Sequence, residues 1–336
     1  MPKKRFTCVY LVLVVLLVAV FLFSLISGSN KISLVDALKA LFGNADENLI
    51  VIIKYIRLPR ILMSCTAGAG LAVSGCVFQS ILRNPLADPF TLGISGGAAF
   101  GASVAFVSGL ATITSFFVPI CAFFGVFLSV LIVYLLSMYK KFDLNAMVLS
   151  GVVVSYIFSS AIMLMFALSK ATNIQTAFVW LMGNISTFDE KMILFITFIV
   201  VIDIAILSLS GNIINTISLG GEKSKTLGID IKKSVKILFL TTSFVTASIV
   251  SICGIIGFIG LMIPHIMRKI VGTNNVILIP VSAAAGAIFL SLCDTLSRIL
   301  FSPVLIPVGV ITSIAGGAFF IFLLLKSKKG ALKGAL

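Results

Sequence analysis

The chain has 336 residues, of which 60% are hydrophobic and only 11% charged, with a formal net charge of +14. An ordinary soluble domain carries roughly a quarter charged residues, and a mean hydropathy of +1.22 excludes a water-soluble monomer. The surplus of Lys and Arg would suit nucleic acid only if it were gathered on one exposed face; here it is divided among short loops between apolar runs, so no nucleic-acid partner is expected.

Lys3, Lys4 and Arg5 lead into an apolar run from Phe6 to Ile26. The run is long for a leader and no clear A-x-A site follows it, so a retained first helix is expected. Ser33 then opens, and Gly43 closes, a short amphipathic segment over 33–42. Nine further apolar runs follow, near 56–80, 91–110, 114–138, 145–168, 191–210, 234–252, 254–271, 277–300 and 305–325. Helices of about 20 residues cross a hydrocarbon core about 30 Å thick. Backbone groups in lipid pair internally, and unbroken apolar runs without alternation choose helices over a barrel. The expected fold is an all-α polytopic membrane protein of about ten transmembrane helices, one domain over 1–336. Gly254, Gly257 and Gly260 leave the 234–271 boundary open between a bent helix and a tight turn.

Loop charge sets the expected orientation. One side holds seventeen basic residues, among them Lys3, Arg83, Lys140, Lys223, Lys232, Arg268 and Lys326. The other holds eight: Lys31, Lys39, Lys54, Arg57, Arg60, Lys170, Lys191 and Arg298. Both termini are therefore expected in the cytoplasm of a cell (inner or plasma) membrane, with 211–236 cytoplasmic and 27–55 and 169–190 extracytoplasmic. The six cysteines show no CxxC spacing and His265 is the only histidine, so no disulfide framework, metal site or cofactor is expected. Gly97 and Gly101 stand at GxxxG spacing, a signal for close helix packing.

Three stretches carry the strongest pattern. The first is Arg57-Leu-Pro-Arg60, then Gly75-Cys-Val-Phe-Gln79, Arg83-Asn-Pro-Leu-Ala-Asp-Pro89 and Leu92-Gly-Ile-Ser-Gly-Gly-Ala98. The second is Gly257-Phe-Ile-Gly-Leu-Met-Ile-Pro-His265 with Arg268 one turn later; the third runs from Asp294-Thr-Leu-Ser-Arg298 to Pro307-Val-Gly-Val-Ile-Thr312. In this order, with Trp180-Leu-Met-Gly183 between them, they resemble the permeases of the iron-chelate and cobalamin family of ABC transporters, over nearly the whole chain. The resemblance implies a type II importer permease fold. It also implies a second permease copy (the same chain or a close paralogue), a cytoplasmic ABC ATPase dimer and an extracytoplasmic substrate-binding protein.

Read by themselves, the prolines and turn formers Arg83, Asn84, Pro85, Asp88 and Pro89 make a rigid turn between spans. The chain lacks a G-x-x-x-x-G-K-[ST] loop, so ATP hydrolysis would belong to another subunit, and no enzyme activity is expected of this one. The resemblance places ATPase coupling in 211–236, at Ser218, Leu219, Gly220, Leu227 and Gly228. It makes Arg57, Arg60 and Arg298 receivers for carboxylates of the binding protein, a task that suits bidentate guanidinium; snorkelling to head groups is the plain alternative. It lines the pathway with the fifth and tenth spans, here including Ser155, Ser159, Thr312 and Ser313.

Asp294 stands four residues before Arg298, the spacing of an intrahelical ion pair, and Asp203 lies inside a span without an evident partner. His265 and Arg268 share one helix face and suit packing or an interface. Ferric siderophore is the expected cargo, as the commonest in the resembled family, with haem or a corrinoid as alternatives. A secondary transporter would need ionisable groups at broken helices, for which Asp203 alone is thin support.

Overall fold

The computed structural model describes residues 3–28, 32–114, 116–140, 143–185, 190–219, 230–300, 302 and 304–333. In chain order its helices are α1 (Lys3–Ile26), α2 (Leu34–Leu41), α3 (Glu47–Ile81), α4 (Ile94–Val107), α5 (Phe117–Tyr139), α6 (Leu144–Ala167) and α7 (Ala171–Leu181). They continue with α8 (Glu190–Leu209), α9 (Gly211–Ser218), α10 (Ile231–Cys253), α11 (Ile259–Val271), α12 (Asn275–Ile299) and α13 (Val308–Lys333). One-turn helices lie at Pro89–Leu92 and Leu110–Ile113.

Among the described residues, eight helices are long and apolar enough to cross a bilayer: α1, α3, α5, α6, α8, α10, α12 and α13. The other two expected spans are shorter than the sequence suggests. Over 91–110 the helix is the 14-residue α4, and over 254–271 it is the 13-residue α11. At 1.5 Å per residue these measure about 20 Å, against a core of about 30 Å. Each is shortened at its start by backbone that a helix cannot contain. Gly93 holds φ at 85° before α4; Gly254 and Phe258 hold 68° and 69° before α11. The open boundary at 234–271 is thus a break between two helices, packed against 180–184, where Asn184 N donates to Cys253 O at 2.8 Å.

Three loops also carry more structure than composition foretells. The 27–55 segment contains α2 and the first turns of α3. Ser33 caps α2 by accepting from Asp36 N at 3.1 Å, and Ala37 and Ala40 pack on Leu25, Ile53 and Ile61. The α3 stretch Val51–Arg57 is π-helical, ending where Leu58 N reaches back to Ile53 O. Pro59 follows directly and has no N–H to give, so the ladder widens before the long Leu58–Ile81 part begins. The 169–190 segment contains α7, and 211–236 contains α9 and the start of α10.

The long part of α3 is the buried axis of the bundle, and α12 packs along it. The two cross at Gly68 and Gly286, where a Cβ on either glycine would run into the other's carbonyl oxygen. Gly75 meets Gly260 of α11 in the same way, and the GxxxG pair Gly97 and Gly101 of α4 meets Gly125 and Cys121 of α5. Lipid supplies no hydrophobic drive between helices, so backbone contact of this kind supplies dispersion in its place. The outer helices turn large apolar side chains outward, as Tyr156 and Met163 of α6 and Leu324 of α13 show.

Candidate functional site

Two polar clusters sit at opposite ends of this apolar bundle. At the end away from Lys3, α1, α3 and α12 meet around Asp294, which is 1% exposed. Arg60 Nε donates to Asp294 Oδ1 at 2.8 Å, and Arg298 Nε approaches Oδ2 at 3.2 Å, out of line for a hydrogen bond, as an ion pair. Arg298 also reaches α1, donating from Nη1 to Ser27 O at 3.2 Å and from Nη2 to Ser24 O at 3.4 Å. Arg57 Nη1 donates to Leu25 O at 2.7 Å, and the Ser24 and Thr295 hydroxyls share a 2.6 Å bond. The spacing of Asp294 and Arg298 leads to the pair that forms; Arg60 joins it from 234 residues away in sequence.

The three guanidiniums are 5%, 8% and 7% exposed at Arg57, Arg60 and Arg298. They tie α1 to α3 and α12 and do not stand open to solvent as free receivers. Neither do they snorkel outward. The cluster still holds three guanidiniums to one carboxylate among the described residues, and Arg60 Nη2 makes no hydrogen bond.

At the terminal end, α3, α9, α11 and α12 meet mainly through neutral amides and hydroxyls, with Arg268 also bonded to Gln79. Asn215 Oδ1 accepts from Asn275 N at 2.7 Å and from Asn275 Nδ2 at 2.9 Å, and Asn215 Nδ2 donates to Asn274 Oδ1 at 2.8 Å. Asn275 Oδ1 accepts from Ser80 Oγ at 3.0 Å; Ser218 Oγ donates to Ser80 O at 3.3 Å. Gln79 Nε2 donates to Gly260 O at 3.0 Å while its Oε1 accepts from Arg268 Nη1 at 3.0 Å.

The 83–89 turn packs on this cluster. Arg83, at φ 50°, donates from Nε to Ile217 O at 3.1 Å, and Asn84 Oδ1 accepts from Leu86 N at 2.9 Å. Pro85 is exposed, whereas Asp88 and Pro89 are buried. Asp88 caps the Pro89–Leu92 turn, and burial pushes its carboxyl up to about 7. A Cβ at Gly260 would come within 2.6 Å of Asp88 Oδ1 and 3.1 Å of Leu71 O, so α11 lies close to the turn and to α3 here.

Of the coupling residues, Ser218 is bound as above and Leu219 is 64% exposed beside it; Gly220, Leu227 and Gly228 lie outside the described residues. Of the pathway residues, Ser155 is half-buried against Gly96, and Ser159 and Ser313 are exposed. Thr312 is fully buried, and its hydroxyl donates to Gly309 O at 3.1 Å. His265 packs edge-on to Phe319 with centroids 6.1 Å apart, as a packing role requires. Asp203 is buried in α8 and, among the described residues, has no hydrogen-bond or ion-pair partner. No three His, Cys, Asp or Glu side chains gather into a metal site among the described residues.

Sequence reasoning missed the amide cluster. Its available signal was the Asn274-Asn275 pair at the start of a span, since Asn274 caps α12 and leaves Asn275 facing α9.

Comparison with known proteins agrees with the geometry. The model of the FecCD transport family matches residues 16–326. The cobalamin import system permease BtuC of Halobacterium salinarum is 37% identical over 279 residues, 83% of this chain and 74% of that one. The iron(3+)-hydroxamate import permease FhuG of Bacillus subtilis is 33% identical over 318 residues, covering 93% of this chain and 95% of its own. A metal-chelate type ABC transporter solved in an inward-facing conformation superposes with a TM-score of 0.84 at 29% identity, covering 96% of this chain and 99% of that one. The chain therefore belongs to the FecCD transport family of ABC transporter permeases.

Proposed function

We propose that this chain is the membrane permease subunit of a binding-protein-dependent importer that passes an iron chelate, a ferric siderophore in the first instance. The observation that carries the reading is the match of the family along nearly the full chain, joined to a relative whose name specifies iron(3+)-hydroxamate. The 37% identity to a cobalamin permease supports a corrinoid as the second cargo to test, with haem after it.

In this reading the termini face the cytoplasm, as the loop charges require. The shelf built from the 83–89 turn and α9, with Leu219 exposed on it, receives a separate ATPase dimer and passes its movement to α3 and α12 through Asn215 and Ser80. At the outer end, the cationic excess around Asp294 attracts carboxylates of a substrate-binding protein. Docking there requires Arg57, Arg60 or Arg298 to exchange a carbonyl or Asp294 for a partner's carboxylate. A second copy of this chain, or a close paralogue, completes the pathway against α6 and α13, where Ser159 and Ser313 are exposed.

Uptake of labelled ferric hydroxamate by cells that depend on this chain tests the cargo, with labelled cobalamin and haem as parallel arms. Uptake of neither iron chelate nor corrinoid overturns the reading. Purification of the tagged chain is expected to bring down a nucleotide-binding subunit; recovery of a functional transporter without one overturns the ABC assembly.

A further inference from the structure

A furrow on the lipid-facing side of the bundle runs between α5, α8 and α10 and encloses about 810 Å³. Its walls are apolar, with Phe127, Val130, Ile202 and Phe244 prominent. Phe127 and Phe244 are half exposed, so the furrow opens sideways toward the bilayer and away from the polar clusters at either end.

Two polar groups face into it without the partners that such a position demands, and a cation stands at its mouth. Ser243 is 2% exposed and its Oγ makes no hydrogen bond. Asp203, on the facing wall, also lacks one among the described residues. Lys236 stands at the mouth nearest the terminal end, its ammonium 5.1 Å from the ring centroid of Tyr134, and makes no ion pair with Asp203. A polar group left unpaired in hydrocarbon is costly, so these three point to an occupant with polar atoms of its own.

The occupant's shape follows from their levels. Asp203 lies six residues before the end of α8 and Lys236 five residues after the start of the antiparallel α10, so both lie about 8 Å inside the terminal end. Ser243 is two turns deeper, and the furrow continues to Ala247, about 16 Å beyond Lys236, which is one leaflet's share of a 30 Å core. Exposed Lys232 and Lys233 add positive charge at the same mouth.

We propose that this furrow is a binding site for one anionic glycerophospholipid of the phosphatidylglycerol type. The phosphate rests on Lys236, a headgroup hydroxyl donates to Asp203, an ester carbonyl accepts from Ser243, and an acyl chain fills the apolar remainder. The site depends on the chain's place in a bilayer and not on which chelate it passes.

Native mass spectrometry of the full-length chain, exchanged into detergent with equal phosphatidylglycerol and phosphatidylcholine, tests this directly. One phosphatidylglycerol is expected to be retained in preference to phosphatidylcholine, which carries a phosphate but no headgroup donor. Lys236→Gln, on an exposed side chain, is expected to weaken retention about fivefold. Asp203→Leu is expected to abolish the preference while phosphatidylcholine still binds. Equal retention of both lipids overturns the site, as does undiminished retention by K236Q, or full competition by glycerol phosphate without acyl chains. Crosslinks that place a second protein in the furrow overturn it as well.

Discussion

The two ends of the bundle are closed by different chemistry. Around Asp294, helices are joined by side-chain charges that are more than nine-tenths buried; around Asn215, they are joined by amides and hydroxyls that remain neutral. Removing one partner of a buried ion pair strands a charge, at about 3–5 kcal/mol. Removing one neutral hydrogen-bonding group costs about 1–3 kcal/mol. The end around Asp294 is therefore a clamp, whereas the terminal end is a joint whose bonds can exchange partners at modest cost. The proposed importer has use for this division, because in that reading motion imposed at α9 spreads through the amides while the far ends of α1, α3 and α12 stay together.

The comparison breaks most readily at Asp294. Asp294→Ala leaves Arg60 and Arg298 buried beside no anion, and a loss of about 3–5 kcal/mol is expected, read as a large fall in the melting temperature of the purified chain. A sharper form replaces the group together, as Asp294→Leu with Arg60→Met and Arg298→Met. Apolar replacement of a buried ionic group is often neutral or better, so the triple variant is expected to melt near the parent. If it also loses stimulation by the binding protein, the cations act in docking beyond their structural tie; unchanged stimulation confines them to the tie. At the other end, Asn215→Ala is expected to cost about 1–3 kcal/mol locally. Hydrogen exchange should quicken over 211–219 and at the start of α12 with little change in global melting. A global fall equal to that of Asp294→Ala would erase the difference between clamp and joint.

These two ends were unequally legible in the sequence. Apolar runs gave the order and approximate place of the long helices, because a helix in lipid leaves a long uncharged stretch. The i, i+4 spacing gave Asp294 and Arg298, a local relation. Arg60 joining them from another helix was not readable, nor was the inward turn of all three guanidiniums, since both depend on how α1 closes over α3 and α12. The burial of Thr312 was equally hidden, since its hydroxyl bonds back to Gly309 O within its own turn. The shortness of α4 and α11 lay in backbone angles at Gly93, Gly254 and Phe258, and hydropathy averages across such breaks. The amide joint was hidden because Asn and Gln in loops ordinarily signal turns.

A pH-dependent effect is expected at Asp88, which links the turn to the joint. Its carboxyl lies over Gly260 and is buried, which raises it from 3.8 to about 7. The folded chain thus holds a proton that the unfolded chain has released between about pH 4 and 7. Stability from this group is full below the unfolded value and declines as pH rises through 7, where the buried carboxylate ionises against its desolvation. Asp88→Asn keeps a side-chain oxygen able to cap Pro89–Leu92 and has nothing to ionise. The parent's melting temperature is expected to drop by a few degrees from pH 5 to pH 8 relative to this variant. Parallel curves would show that Asp88 ionises freely, and then the turn would be a looser part of the joint than its burial implies.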